Sequence, residues 1–299
     1  MWFRLVLTLL GTWLGHAAAQ AQGCAVAPVA VLAVRDTAGV LTVTARLGGR
    51  DVAMVLDTGS EGGLVTPEAA HTLPVDAATA APPVALQMYG ANGGQRIARM
   101  VSVPDLQLGG LHVALAAVAV SRLPFQPMLR PPIAGLIGAD LLSHFDLELD
   151  VAGGTARLYA PGCADPPRPP GWHGARAVGL LRVGDRLVGQ AVLDGHAVSA
   201  LVDTGARGRV VGLATALALG IDEAELGADS GGTASGLGAQ PGFYRWHRFR
   251  SFSFAGHGER DVTLTVSRLD DVADMLLGAD WFAAHTVWIS WARATMWVR

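Results

Sequence analysis

The chain runs to 299 residues, room for one large domain or two ordinary ones. With 51% hydrophobic and 16% charged residues it is no disordered tail, and 38 Gly and 16 Pro make it turn-rich rather than a helical bundle. Its 22 basic residues, all arginine, against 25 acidic ones leave a net charge of −3, which gives nucleic acid no electrostatic hold.

In chain order, residues 1–21 read as an export leader. Arg4 gives the positive start, Leu5 to Leu14 the apolar stretch, and Ala19-Gln20-Ala21 a small-x-small cleavage site. The apolar run falls short of the ~20 residues a spanning helix needs, and no later segment reaches that length, so no stable membrane span is expected. The expected location of the mature protein is periplasmic or secreted, where disulfides are permitted. Runs 41–47 and 52–56 are β-branched or apolar and are parted by Gly48-Gly49, a hairpin signal. A short helix is expected over 67–72. Gln87-Met88-Tyr89-Gly90-Ala91-Asn92-Gly93-Gly94 has the glycine-rich tip of a hairpin, 124–132 is a Pro-rich loop, and a helix starts at Asp140, a good N-cap residue. Residues 161–171 are too rich in proline for a central strand and form a semi-rigid linker. Strand resumes over 187–193 and 197–202 around Asp194-Gly195, followed by a helix near 213–219 and a second glycine-rich stretch over 231–238. In Phe243-Tyr244-Arg245-Trp246-His247-Arg248-Phe249-Arg250, alternation predicts a half-exposed strand with aromatic residues on one face and arginine on the other. A last helix is expected from Asp280.

The second half repeats the first. Leu41, Ala45, Leu47 and Gly49 fall on Leu187, Ala191, Leu193 and Gly195, and Val52 to Ser60 fall on Val198 to Ala206, all 146 positions apart. Ser121-Arg122-Leu123 keeps the register with Ser267-Arg268-Leu269. The spacing then drops to 140, where Leu136-Ile137-Gly138-Ala139-Asp140 meets Leu276-Leu277-Gly278-Ala279-Asp280. The six extra residues lie in the Pro-rich loop 124–132, and one loop insertion is what two diverged copies of a domain show. The divisions expected are a leader at 1–21, a first lobe at 22–160, the linker 161–171 and a second lobe at 172–299.

Each copy ends an apolar strand in Asp-Thr-Gly: Asp57-Thr58-Gly59-Ser60 and Asp203-Thr204-Gly205-Ala206. One such triplet is usually a turn. Two, each followed by a second apolar segment closing on Gly, make a pattern that resembles the pepsin and retropepsin superfamily of aspartic proteases, a retropepsin pair fused into one chain. The resemblance covers about residues 41–298. It implies an all-β fold of two homologous barrel lobes about a pseudo-twofold axis, with few short helices. It also implies an endopeptidase with a peptide or polypeptide held in the inter-lobe cleft, acting as a monomer without cofactor. Asp57 and Asp203 would share one proton and hold the attacking water, since two adjacent carboxylates cannot both ionise. Thr58 and Thr204 would bond across the lobes, and Gly59 and Gly205 would permit the turn. The Ser60 hydroxyl would donate to Asp57, with Ala206 offering no such bond to Asp203. Tyr89 and Gly90 would belong to a flap over the substrate. The runs after the triplets, Gly62-Gly63 and Arg207-Gly208-Arg209, lack the further acidic residues frequent in retropepsins.

Other chemistries lack their parts. There is no Gly-x-Ser-x-Gly elbow and no H-E-x-x-H, and two cysteines cannot build a four-thiolate zinc site. Gly236-Leu237-Gly238 is followed by Pro241 rather than a helix, which excludes a dinucleotide loop. Cys24 and Cys163 flank the first lobe and are expected to pair, the alternatives being a lipidated Cys24 or two free thiols. A peptide-binding protein on the same scaffold, without turnover, is the reading from another class.

Overall fold

In each half, a hairpin turn with two left-handed residues delivers the strand that carries Asp-Thr-Gly. Val40–Leu47 pairs antiparallel with Arg50–Leu56 through Gly48 (φ 54°) and Gly49 (φ 77°). Arg186–Leu193 pairs in the same way with His196–Val202 through Asp194 (φ 49°) and Gly195 (φ 85°). Asp194 tolerates the left-handed region because its carboxylate accepts the Ser251 N–H (2.8 Å). The structure is a computed structural model that describes residues 27–73, 76–77, 86–124, 127–161, 171–234 and 242–299. The leader, Cys24, Cys163, nearly all of the linker and most of the second glycine-rich tip lie outside the described residues.

The molecule is all-β with two barrel-like lobes and few short helices. The strand before each aspartate is central. Arg50–Leu56 has Val40–Leu47 antiparallel on one side and Ile133–Ile137 parallel on the other, and Ile133–Ile137 in turn pairs with Leu64–Val65. His196–Val202 stands likewise between Arg186–Leu193 and Met275–Leu277, which pairs with Val210–Gly212. The parallel partners are the two apolar-apolar-Gly segments of the repeat. They read as continuous apolar runs because both faces of such strands are covered.

The lobes are joined by a shared sheet. Its order is Arg176–Gly179, Thr295–Val298, Val287–Ser290, Asp146–Asp150, Thr155–Tyr159, Ala30–Thr37. The seam lies between Asp146–Asp150 and Val287–Ser290, where Leu147 faces Ile289 and Leu149 faces Val287. These four side chains are fully buried. Burial of side chains this size stabilises by about 1.5–3 kcal/mol each. The second lobe also packs Phe249, Phe252, Phe254, Trp281 and Phe282 into its core.

Helices are short. Pro67–Thr72 starts as its sequence predicts, with Pro at the first turn and Thr66 as N-cap accepting from the Ala69 N–H (3.2 Å). The helices expected to begin at Asp140 and Asp280 begin one residue earlier, as Ala139–Leu142 and Ala279–Phe282, capped by Gly138 and Gly278. Asp140 still accepts a first-turn amide, the Leu141 N–H (2.9 Å), but both aspartates also bond outside their helices. Asp140 accepts the Gly63 N–H (3.0 Å) and Asp280 pairs with Arg209 (2.9 Å), so each ties the segment behind its Asp-Thr-Gly to the crossing turn. Glu223–Ala228 is a helix the sequence reading did not anticipate, although Asp222 caps it through the Glu225 N–H (2.7 Å).

The strand Gly242–Phe254 alternates from Trp246 to Arg250, but not by chemical type, and the buried face then slips by one residue to Phe252 and Phe254. Trp246, Arg248 and Arg250 share the exposed face, while His247 and Phe249 are buried. His247 can enter the core because Asp229 meets its Nδ1 at 2.7 Å.

Candidate active site

Asp57 and Asp203 sit where their central strands run out, each held by the same bond. The Asp57 N–H donates to the Ile137 carbonyl and the Asp203 N–H to that of Leu277, both at 3.1 Å. One carboxylate oxygen of each is then occupied by its own loop. The N–H groups of Gly59 (3.0 Å) and Ser60 (2.9 Å) donate to Asp57 Oδ1, and those of Gly205 and Ala206 (both 2.9 Å) to Asp203 Oδ1.

The two threonines lock the loops to each other. Thr58 N–H donates to Thr204 Oγ1 (3.0 Å) and Thr204 N–H to Thr58 Oγ1 (3.1 Å). Each hydroxyl passes its own proton to the opposite strand, Thr58 to the Val202 carbonyl and Thr204 to that of Leu56, both at 2.7 Å. Every polar atom of this buried knot is used.

Gly59 and Gly205 are needed for a different reason from the expected turn. Neither has positive φ. A Cβ on Gly59 would collide with the Asp203 carboxyl, and one on Gly205 with that of Asp57. Absence of a side chain is what lets the carboxyl groups of the two lobes approach within hydrogen-bonding reach of each other.

Both carboxyls lie above the usual carboxylate range. Burial raises Asp203 well above it, and the negative charge of Asp57 adds to the shift. Burial also raises Asp57, but its two backbone donors, its bond with Asp203 and the Arg186 guanidinium oppose the rise. The two titrate as a pair, and Arg186 bears on its Asp57 side. The hydroxyl bond expected from Ser60 to Asp57 is not made. The Ser60 hydroxyl donates to the Gly62 carbonyl (2.9 Å), and only the Ser60 backbone reaches Asp57. The Ala206 backbone does the same for Asp203, so the fourth residue does not distinguish the lobes.

Tyr89 ends the strand Leu86–Tyr89, which pairs with Gln95–Ala98 to form an isolated two-stranded hairpin. Its ring stands 64% exposed, and Gly90 opens the tip. The tip reaches the other lobe, where Asp270 N–H donates to the Ala91 carbonyl (2.7 Å). In the second lobe the corresponding strand Gly231–Ala234 is anchored in the large sheet against Gly242–Phe254. The sequence reading missed Arg186, Glu61 and Asp271. A signal was present in the repeat itself, since Arg186 falls on the apolar Val40.

A pair of carboxyls buried at a two-lobed, pseudo-symmetric β junction defines the acid-protease class of scaffold. The aspartyl protease family model matches residues 43–141 and 189–281, about two thirds of the chain, and the chain belongs to that family. A search of curated proteins gave no match. Among solved structures, basic 7S globulin from soybean is similar at 12% identity with a TM-score of 0.49, over 90% of this chain and 94% of that one.

Proposed function

We propose that the protein is an exported aspartic endopeptidase. The observation that carries this reading is the contact of two carboxyls from different lobes, Asp203 buried and Asp57 partly so, each facing a glycine of the other. Binding a peptide requires no shared proton, whereas hydrolysis requires a base and an acid together. Asp57, ionised, takes the proton of a water held between the carboxyls as that water attacks the peptide carbonyl carbon. Asp203 gives its proton to the carbonyl oxygen, forming a neutral tetrahedral gem-diol. Collapse of that intermediate returns a proton to the carboxyl pair and transfers one to the leaving nitrogen. The substrate is a peptide or polypeptide lying in the inter-lobe cleft under the hairpin that carries Tyr89 and Gly90.

Mature protein incubated with a complex peptide mixture from acid to neutral pH, with cut sites read by mass spectrometry, tests the reading. Cleavage is expected in the wild type and not in Asp57→Asn. Peptides retained intact by the wild type at every pH would identify a binding protein instead. Export is tested by N-terminal sequencing of protein recovered outside the cytoplasm, expected to start at Gln22.

A further inference from the structure

The environment of the carboxyl pair is not symmetric. Arg186, the first residue of Arg186–Leu193, is buried with 9% of its surface exposed. Its Nη1 donates to Asp271 Oδ1 (2.8 Å) within its own lobe, and its Nη2 reaches Glu61 Oε1 (3.0 Å) in the other. Its Nε is buried without a partner among the described residues. Glu61 follows Asp57-Thr58-Gly59-Ser60 directly, so this ion pair joins the second lobe to the loop that holds Asp57. Across the pseudo-twofold axis the charges are different. Val40 stands at the place of Arg186, buried among apolar side chains, and Arg207 stands at the place of Glu61, donating to the Ala38 carbonyl (2.9 Å). Both loops are braced from the opposite lobe, but only the brace on the Asp57 loop is a buried guanidinium; the buried Arg209 behind Asp203 pairs within its own lobe, with Asp280 and Glu259.

We infer that Arg186 is a positioning residue which, clamped by Glu61 and Asp271 on one side of the carboxyl pair only, fixes Asp57 as the base and Asp203 as the acid. The inference rests on the proposed function and adds the assignment of roles within it. The Asp203 carboxyl, from the end of His196–Val202, meets Asp57 across the two glycines, and Arg186 lies behind Glu61, four positions along the Asp57 loop. The neighbouring strands Ile133–Ile137 and Leu64–Val65 carry no ionisable residue, and Arg46 of Val40–Leu47 lies at the far end, paired with Asp51. Glu61 and Asp271 face Arg186 in turn. Glu61 is largely exposed and solvent screens it, whereas Asp271 is as enclosed as the guanidinium. The pull on Asp57 thus depends on Arg186 standing on the Glu61 side of that pair, toward the Asp57 loop. The downward pull on Asp57 from Arg186 agrees with this geometry.

The test uses mature full-length protein and two readouts: the pH dependence of kcat/KM on a cleaved peptide, and titration of 13C-labelled aspartate carboxyls, which needs no turnover. Arg186→Met leaves two carboxylates without their cation and is expected to move the acidic limb, and the lower macroscopic value of the pair, upward by roughly one pH unit, tenfold in proton concentration. Arg186→Lys is expected to restore most of the shift. Glu61→Gln, at an exposed position, removes negative charge and is expected to move both readouts the other way. An unchanged limb and titration in Glu61→Gln, or shifts of the same sign in Arg186→Met and Glu61→Gln, would overturn the inference even if Arg186→Met fails to fold. Carboxyl shifts of the expected signs in a wild type that cuts no peptide would leave the inference standing and remove the proposed function.

Discussion

At the scale of single residues, the carboxyl pair acts as one group. On the proposed function Asp57→Asn removes the base and Asp203→Asn the acid, so each alone is expected to lower kcat by roughly 10³–10⁴-fold or more, measured on a peptide that the wild type cuts. Their effects on stability differ from their effects on rate. Asp203 has its pKa raised by burial, so the folded state holds its proton more tightly than the unfolded chain does. Its contribution is fully present below the unfolded value of 3.8 and is lost as pH rises through the folded one. Asp203→Asn is therefore expected to raise the melting temperature at pH 7 and to have a smaller effect at pH 3, by calorimetry at both. Ser60→Ala keeps the N–H that reaches Asp57 and loses only the bond to Gly62, so it is expected to leave the acidic limb of the rate profile in place. A shift of that limb would show that the hydroxyl turns toward the carboxyl in solution.

At the scale of elements, the first-lobe hairpin is a two-stranded ribbon with no neighbouring strand among the described residues, tied at its tip to the second lobe. Gly93 has φ +77°, and a Cβ there would stand 2.9 Å from Asp270 Oδ2. Gly93→Val strains the turn and crowds the Asp270 contact with Ala91 together, and is expected to lower kcat/KM by roughly tenfold, from steady-state kinetics. The turns, the catalytic strands and the duplication were legible in the sequence because they depend on local chemistry. Gly48-Gly49 and Asp194-Gly195 carry the left-handed residues of their turns, and apolar runs mark the buried central strands. What was not legible depends on partners far along the chain. Asp140 and Asp280 sit at helix starts, but only the fold shows their bonds to Gly63 and Arg209. His247 shares the alternation of Phe249, but only the fold shows the Asp229 carboxylate that lets it be buried there. Arg186 interrupts the repeat visibly, but only the folded chain shows Glu61 and Asp271 around it.

At the scale of the whole molecule, the lobes are not independent units resting on each other. They share the sheet at Asp146–Asp150 and Val287–Ser290 and the threonine knot beneath the carboxyls. Residues 22–160 made alone would lose both and leave the edge of Asp146–Asp150 uncovered. Such a fragment is expected to be less stable than the same lobe within the intact protein, which a lower urea midpoint would show. The pairing of Cys24 with Cys163, which we also propose, would close the first lobe on itself without involving the second. Titration of both thiols in unfolded, unreduced protein would refute it.

The seam sheet also constrains how the protein is made. Asp146–Asp150 emerges during synthesis roughly 140 residues before Val287–Ser290, the strand that covers it, and translation at about 5–20 residues per second leaves it open for many seconds. Its sequence alternates Asp146, Glu148 and Asp150 with leucines, and three like charges on a bare edge repel a second copy of the same edge. In the finished fold Glu148 has partners that neutralise it, Arg157 of its own lobe and Arg299 of the other, both at 3.6 Å. The second lobe thus arrives with both the strand that covers the edge and a cation that helps quench the charge guarding the half-built chain.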